Sequence, residues 1–149
     1  MHLERYAFRA DGNNEVFAFE SNGPNGIIRK VVRYIKVGFF NGFDIYNLDF
    51  GDSNDGAGNP DHLSVSNNGD RDKVLATVAA TVLAFNEDHK KFVVFAKGAT
   101  PVRTRLYQMG INANRAEIEE HFHVYGINDG VSGPVEPGIN YQAFIAVKK

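Results

Sequence analysis

Between residues 95 and 111 the chain reads FAKGATPVRTRLYQMGI, and the chemistry this spacing offers is anion binding. Thr100 followed by Pro101 makes a good N-cap and first helical residue, because the threonine oxygen accepts a backbone N–H and proline has none to lose there. Arg103 and Arg105 then fall in or near the first turn, where positive charge opposes the helix macrodipole and acidic residues are expected. An anion at the turn offsets that cost. Backbone N–H groups of Gly98, Ala99 and the first helical residues point toward it, and Thr100 and Arg103 add hydrogen bonds. Phosphate suits such a cradle. The competing account pairs the arginines with Glu117, Glu119 or Glu120, or leaves them in solvent.

A second polar turn, SVSNNGDRDK over residues 64–73, leads into the apolar run that follows it. Asn67, Asn68 and Asp70 are able to cap helix amides, and Gly69 permits a tight bend. If residues 63–66 form a strand, this turn and the one at 98–105 leave the same edge of a sheet. Ligands in α/β sheets gather at the carboxyl ends of strands. The candidate ligand site is therefore Asn68, Gly69, Arg71, Gly98, Thr100, Arg103 and Arg105, with helix capping alone as the alternative.

Other constellations carry less. The acidic loop 49–61 lacks the alternating ligands of a calcium loop, so a solvated turn is expected. His121 and His123 share one side of a strand, with Glu117 one helical turn earlier, but no further zinc ligands are identifiable and no metal is expected. No phosphate-binding loop of the nucleotide-hydrolase type is present. No nucleophile, base and orienting acid can be assembled, so the reading leans away from an enzyme and assigns no catalytic residue and no cofactor.

The elements that must position these turns can be read from periodicity. Segments 3–10, 16–21, 27–37 and 44–51 are β-branched and aromatic, separated by Asn/Gly turns, and predict an antiparallel meander. Alternation puts Tyr6 and Phe8, Phe17 and Phe19, and Tyr46, Leu48 and Phe50 on one face. The register of the third strand stays open, since Arg29, Lys30 and Arg33 fall on both alternations. An aromatic face either stacks nucleic-acid bases or is core.

The run VLATVAATVLAF at 74–85 decides for core. It is too long for an ordinary strand, rich in alanine and free of charge on every side, so it reads as a helix buried on most of its surface. Residues 92–96 form an interior strand, and a right-handed crossover is expected around the helix. A second helix starts at Thr100 and stops near Gly110. A short helix over 113–121 follows, with Ala116, Ile118 and Phe122 toward its apolar side, then strands at 123–127 and 141–147 joined by a loop over 128–138. The fold class is α+β: an antiparallel or mixed sheet from an N-terminal β-meander, covered by a buried Ala-rich helix (about 71–86) and a second helix (about 100–109).

At 149 residues, 43% hydrophobic and 12% aromatic, the chain suits one domain with its own core. A formal charge of −2 gives no global field for nucleic acid or an anionic membrane. The lack of cysteine removes disulfides and thiolate chemistry and fits a reducing compartment. The first residues lack a secretory pattern, and residues 74–86 are too short to span a bilayer, so a cytoplasmic protein is expected.

Two resemblances follow from particular residues. The combination LERY at 3–6, YNLDFGD at 46–52, SNNGD at 66–70, VLATVAAT at 74–81, RTRLYQMGI at 103–111 and YQAF at 141–144 resembles a family of small bacterial proteins, Bacteroidetes-type, of unknown function. That resemblance implies a two-gene, toxin–antitoxin-like setting with a protein partner from the adjacent gene. The order of strands, helix, strand, helix, strand and strand, with LYQMGI at 106–111, is similar to the later part of GCN5-related N-acetyltransferases. It implies an acyl-coenzyme A ligand with its pyrophosphate at the first helix. Against it, residues 68–73 lack the family's spaced glycines, and Asp70 and Asp72 would repel pyrophosphate. The expectation that results is a binding or regulatory module for a phosphate-bearing ligand or protein partner, with the acyltransferase as the alternative.

Overall fold

A computed structural model describes residues 4–53, 60–61, 68–98 and 100–149. In chain order the elements are β1 (Arg9–Ala10), β2 (Val16–Gly23), β3 (Gly26–Phe40), β4 (Phe43–Ser53), β5 (Pro60–Asp61), α1 (Arg71–Asp88), β6 (Phe92–Ala96), α2 (Pro101–Ala113), α3 (Arg115–Glu119), β7 (Phe122–Asn128), β8 (Val131–Pro134) and β9 (Ala143–Lys148). They form a mixed nine-stranded sheet in the order β1-β2-β3-β4-β6-β9-β7-β8, with β5 on β4. The fold is α+β, with the sheet built on an N-terminal meander as the sequence implies.

The meander turns on short polar bends. At the β3–β4 hairpin Asn41 and Gly42 both have positive φ, 52° and 84°, the conformation that asparagine and glycine tolerate and a two-residue hairpin demands. Register then sets the faces. Phe17 lies opposite Val32, and Val32 opposite Phe50, while Tyr34 lies opposite Leu48. With Phe19 and Tyr46 these side chains are 5% exposed or less, so the aromatic face is core.

Helix α1 lies on that face and is buried along the uncharged run at its centre, as an apolar run must be. Three surfaces enclose it. Tyr34 and Phe85 stack from the sheet side, and Leu75 meets Gly110 of α2. The third surface is the N-terminal segment, and here the expected strand over 3–10 is corrected to Arg9–Ala10 alone. The Tyr6 amide donates to Thr77 Oγ1 at 2.8 Å, the Lys73 ammonium sits 4.2 Å from the Tyr6 ring centre, and Arg5 pairs with Glu117 of α3 at 3.0 Å. Its rings still face the core, stacking on Phe19 and edging Phe17, but its backbone hydrogen bonding turns to α1.

Four further expectations are refined. The capping role expected of Asn68 and Asp70 is not realised: Asp70 occupies the N-cap of α1 without a side-chain cap bond. Its carboxylate instead accepts from the Tyr6 and Ser21 hydroxyls, each at 2.5 Å. Gly110 does not end α2; it lies against Leu75, and Asn114 closes the helix by donating to the Gly110 carbonyl from both backbone and side chain. Of the apolar side expected for the short third helix, Ile118 and Phe122 are buried while Ala116 is exposed. The expected loop over 128–138 holds a hairpin, because Asp129 and Gly130 supply positive φ at the turn into β8.

The crossover expected from a strand at 63–66 lies outside the described residues. The observed one is β4–α1–β6, whose strands run parallel from Asp44 beside Phe92 to Leu48 beside Ala96. There β6 ends and β4 continues to Ser53. α2 therefore starts from the loop leaving the carboxyl end of β6, and β5 intervenes between β4 and α1.

Candidate functional site

Where β6 passes into α2, the turn is tightly built. Thr100 caps the helix, its Oγ1 accepting the Arg103 amide at 3.3 Å, and Pro101 takes the first position. The Gly98 amide, expected to face an anion, is instead used within the turn: it donates to Thr104 Oγ1 at 3.0 Å, and that hydroxyl donates to the Thr100 carbonyl at 3.2 Å. A Cβ on Gly98 would lie 2.5 Å from Arg103 Cβ and 2.6 Å from the Thr104 nitrogen, so only glycine lets the strand end fold against the helix start. The first turn contains no acidic residue.

Arg103 is drawn inward, 7% exposed, while Arg105 on the same helix is exposed. Its charge is felt by Tyr107. Burial pushes the Tyr107 hydroxyl up to about 12, opposed by the Arg103 guanidinium and by a backbone hydrogen bond at Phe50, and reinforced by Asp49. Of the carboxylates weighed as partners, Glu117 pairs with Arg5 and Glu119 with Arg115, and Arg103 has an interaction of its own within the protein.

The second turn gathers elsewhere. Asn68 is 2% exposed and clips the β2–β3 turn: Oδ1 accepts the Asn25 amide at 2.8 Å, and Nδ2 donates to the Gly26 carbonyl at 2.9 Å and Ser21 Oγ at 3.1 Å. Gly69 has φ 75° beside Pro24, and Arg71 is exposed next to Asp72. The structure thus brings Gly98, Thr100 and Arg103 together, and places Asn68 and Gly69 around the β2–β3 turn. Asn68→Ala should lower the unfolding free energy by about 1–3 kcal/mol by stripping partners from Ser21, Asn25 and Gly26. A urea titration with an unchanged slope checks it, and a shift within error would show the clip to be dispensable.

Sequence reasoning missed two features. The first is an apolar cavity of about 70 Å³ between α1, α2 and the sheet, walled by small residues from four elements, Ala79, Ala96, Gly110 and Ala146, and by Leu48 and Tyr107. Small residues within apolar runs were its only signal in the sequence.

The second is the pair Lys30 and Asp52, opposite each other on β3 and β4 at 2.5 Å, with side chains 1% and 6% exposed. Lys30 shares the core face with Val32 and Tyr34, while Arg29 and Arg33 take the opposite face. This settles the register that the basic residues had left open. With Ser21, Asn68 and Asp70 it makes a polar end to an otherwise aromatic face.

His89 stacks on Phe85 with ring centres 3.7 Å apart, and His121 and His123 are exposed. Among the described residues no group of three His, Asp or Glu is placed to hold a metal ion, and no helix is long and apolar enough to cross a membrane.

No curated protein and no solved structure matches the chain. Over residues 2–149 its sequence fits the pattern of a family of unknown function, DUF6934, and the chain belongs to that family.

Proposed function

We propose that the protein is a small binding or regulatory module that recognises a phosphate-bearing anion at the turn between β6 and α2. The observation that supports this reading is Arg103, a residue 7% exposed at the start of a helix whose first turn holds no acid. Arg103 is engaged within the protein and still adds positive charge at a helix start, where backbone N–H groups favour an anion. Gly98 and Thr100 are folded against the same turn, and exposed Arg105 supplies a second positive charge within reach of solvent.

An acyl-coenzyme A enzyme is the less favoured reading. It needs a pyrophosphate at the start of α1, where the Asp70 carboxylate sits at the N-cap and Asp72 lies in the first turn. Both would repel the diphosphate.

Thermal unfolding in the presence of inorganic phosphate, ATP and acetyl-coenzyme A tests the proposal. A ligand that binds only the folded state raises the melting temperature, by about 2.7 kcal/mol of stability at a hundred times its Kd. Arg103→Gln should weaken the response at least tenfold. Arg105→Gln, an exposed change that leaves the fold intact, should weaken it by a smaller factor and flatten its salt dependence. A melting temperature unmoved by all three compounds at millimolar concentration would sink the reading.

A further inference from the structure

We propose that the cavity between α1, α2 and the sheet is a pocket for the aliphatic end of a small molecule, a branched chain of about three or four carbons. The argument begins with its place. Leu48 and Ala96, two of its walls, are the last residues paired between the parallel strands β4 and β6. Beyond them β6 ends, and the crevice at the carboxyl ends of such strands is where α/β sheets hold ligands. The cavity is therefore where topology opens the sheet, and it is open on one side.

Its chemistry restricts the occupant. Leu75, Val78 and Val82 of α1 and Ile118 of α3 complete an apolar lining. The one polar side-chain group among its walls, the Tyr107 hydroxyl, meets the Phe50 backbone. A water needs two to four polar partners, and this lining offers none to spare, so the space favours carbon over water. At about 70 Å³ it is roughly half the engineered cavity of about 150 Å³ that accepts benzene, which points to a short branched alkyl group rather than a ring. The small walls also come from four separate elements, so no single side-chain truncation creates the space.

The pocket stands apart from the anion reading. Tyr107 lies one helical turn after Arg103, so a ligand with an anionic end would reach both, but the cavity is defined without it. An uncharged probe separates the two. Methyl-labelled protein titrated with isobutanol should show saturable shifts confined to Leu48, Leu75, Val78 and Ile118, and xenon under pressure should perturb the same methyls.

Ala79→Leu should fill the space, raise the melting temperature of the free protein and abolish the isobutanol shifts. Ala146→Val, from the opposite wall, should do the same in lesser degree. Absent or unsaturable shifts overturn the pocket whatever phosphate does, and so does a fall in melting temperature in both variants, the signature of an already filled core. Saturable shifts with no phosphate response establish the pocket and remove the anion site alone.

Discussion

Phe85→Ala lowers the unfolding free energy by about 3–5 kcal/mol, a large share of the roughly 5–15 kcal/mol available to a chain of this size. Phe85 is 0% exposed and is the point where α1 locks onto the sheet. Its ring stacks on Tyr34 at 4.3 Å and meets Tyr46 and Phe92 edge-on at 4.8 and 4.9 Å, and His89 stacks on it from the helix end. Aromatic pairs add about 0.5–1.5 kcal/mol each beyond the area they bury. Truncation therefore removes transfer energy, several ring contacts and the support of two helical turns. Phe85→Leu keeps most of the volume and should cost less than half as much. Urea unfolding of the two variants decides the matter. A loss under about 1 kcal/mol for alanine would mean that the rings repack without their centre.

The same residue shows why α1 was legible. Its charge-free run had to be enclosed, and alternating rings on β2, β3 and β4 were the surfaces that could enclose it. What the pattern could not show was which other surfaces took part. Tyr6 and Phe8 alternate as strand residues do, yet the segment carrying them lies over α1, because an amide can be satisfied by the Thr77 hydroxyl as well as by a neighbouring strand. Periodicity records which way rings point and is silent about the backbone's partner. Gly110 misled for a related reason: glycine ends a helix by default, but here it permits close packing against Leu75.

At the candidate site the local chemistry was readable and the tertiary chemistry was not. Thr100 and Pro101 form the cap that their order implies. Arg103, by contrast, is buried near Tyr107, whose hydroxyl meets the Phe50 backbone of β4, a neighbour more than 50 residues away that no local rule supplies. Asn68 was read as a helix cap and instead holds a hairpin 42 to 47 residues earlier. Asparagine offers the same donors and acceptor to any turn within reach, so its type identifies a polar bend without naming the partner. The cavity lay further beyond reach, since a void is a property of the fit between elements.

Asp52→Ala should cost about 3–5 kcal/mol, as expected when a buried ion pair loses one member. The Lys30 ammonium is 1% exposed on the core face, opposite Asp52 and one strand from Phe19, and removing the carboxylate leaves that charge without its counter-ion in a site water barely enters. Surface pairs behave differently: separating Lys36 and Asp44, which are far more exposed, should change stability little. The test is urea unfolding of the single variant and of a paired apolar replacement. Lys30→Met with Asp52→Leu should recover most of the stability lost by Asp52→Ala, because apolar side chains of similar size avoid the desolvation of both charges. Added salt should not rescue the single variant, since buried charges are weakly screened. If Asp52→Ala lies within about 1 kcal/mol of the parent, Lys30 reaches another acceptor and the pair is not what holds this end of the sheet. The polar end bears on the proposed pocket because Ser21 and Asn68 join it there and Asp70 fixes the start of α1, which forms one wall of the cavity.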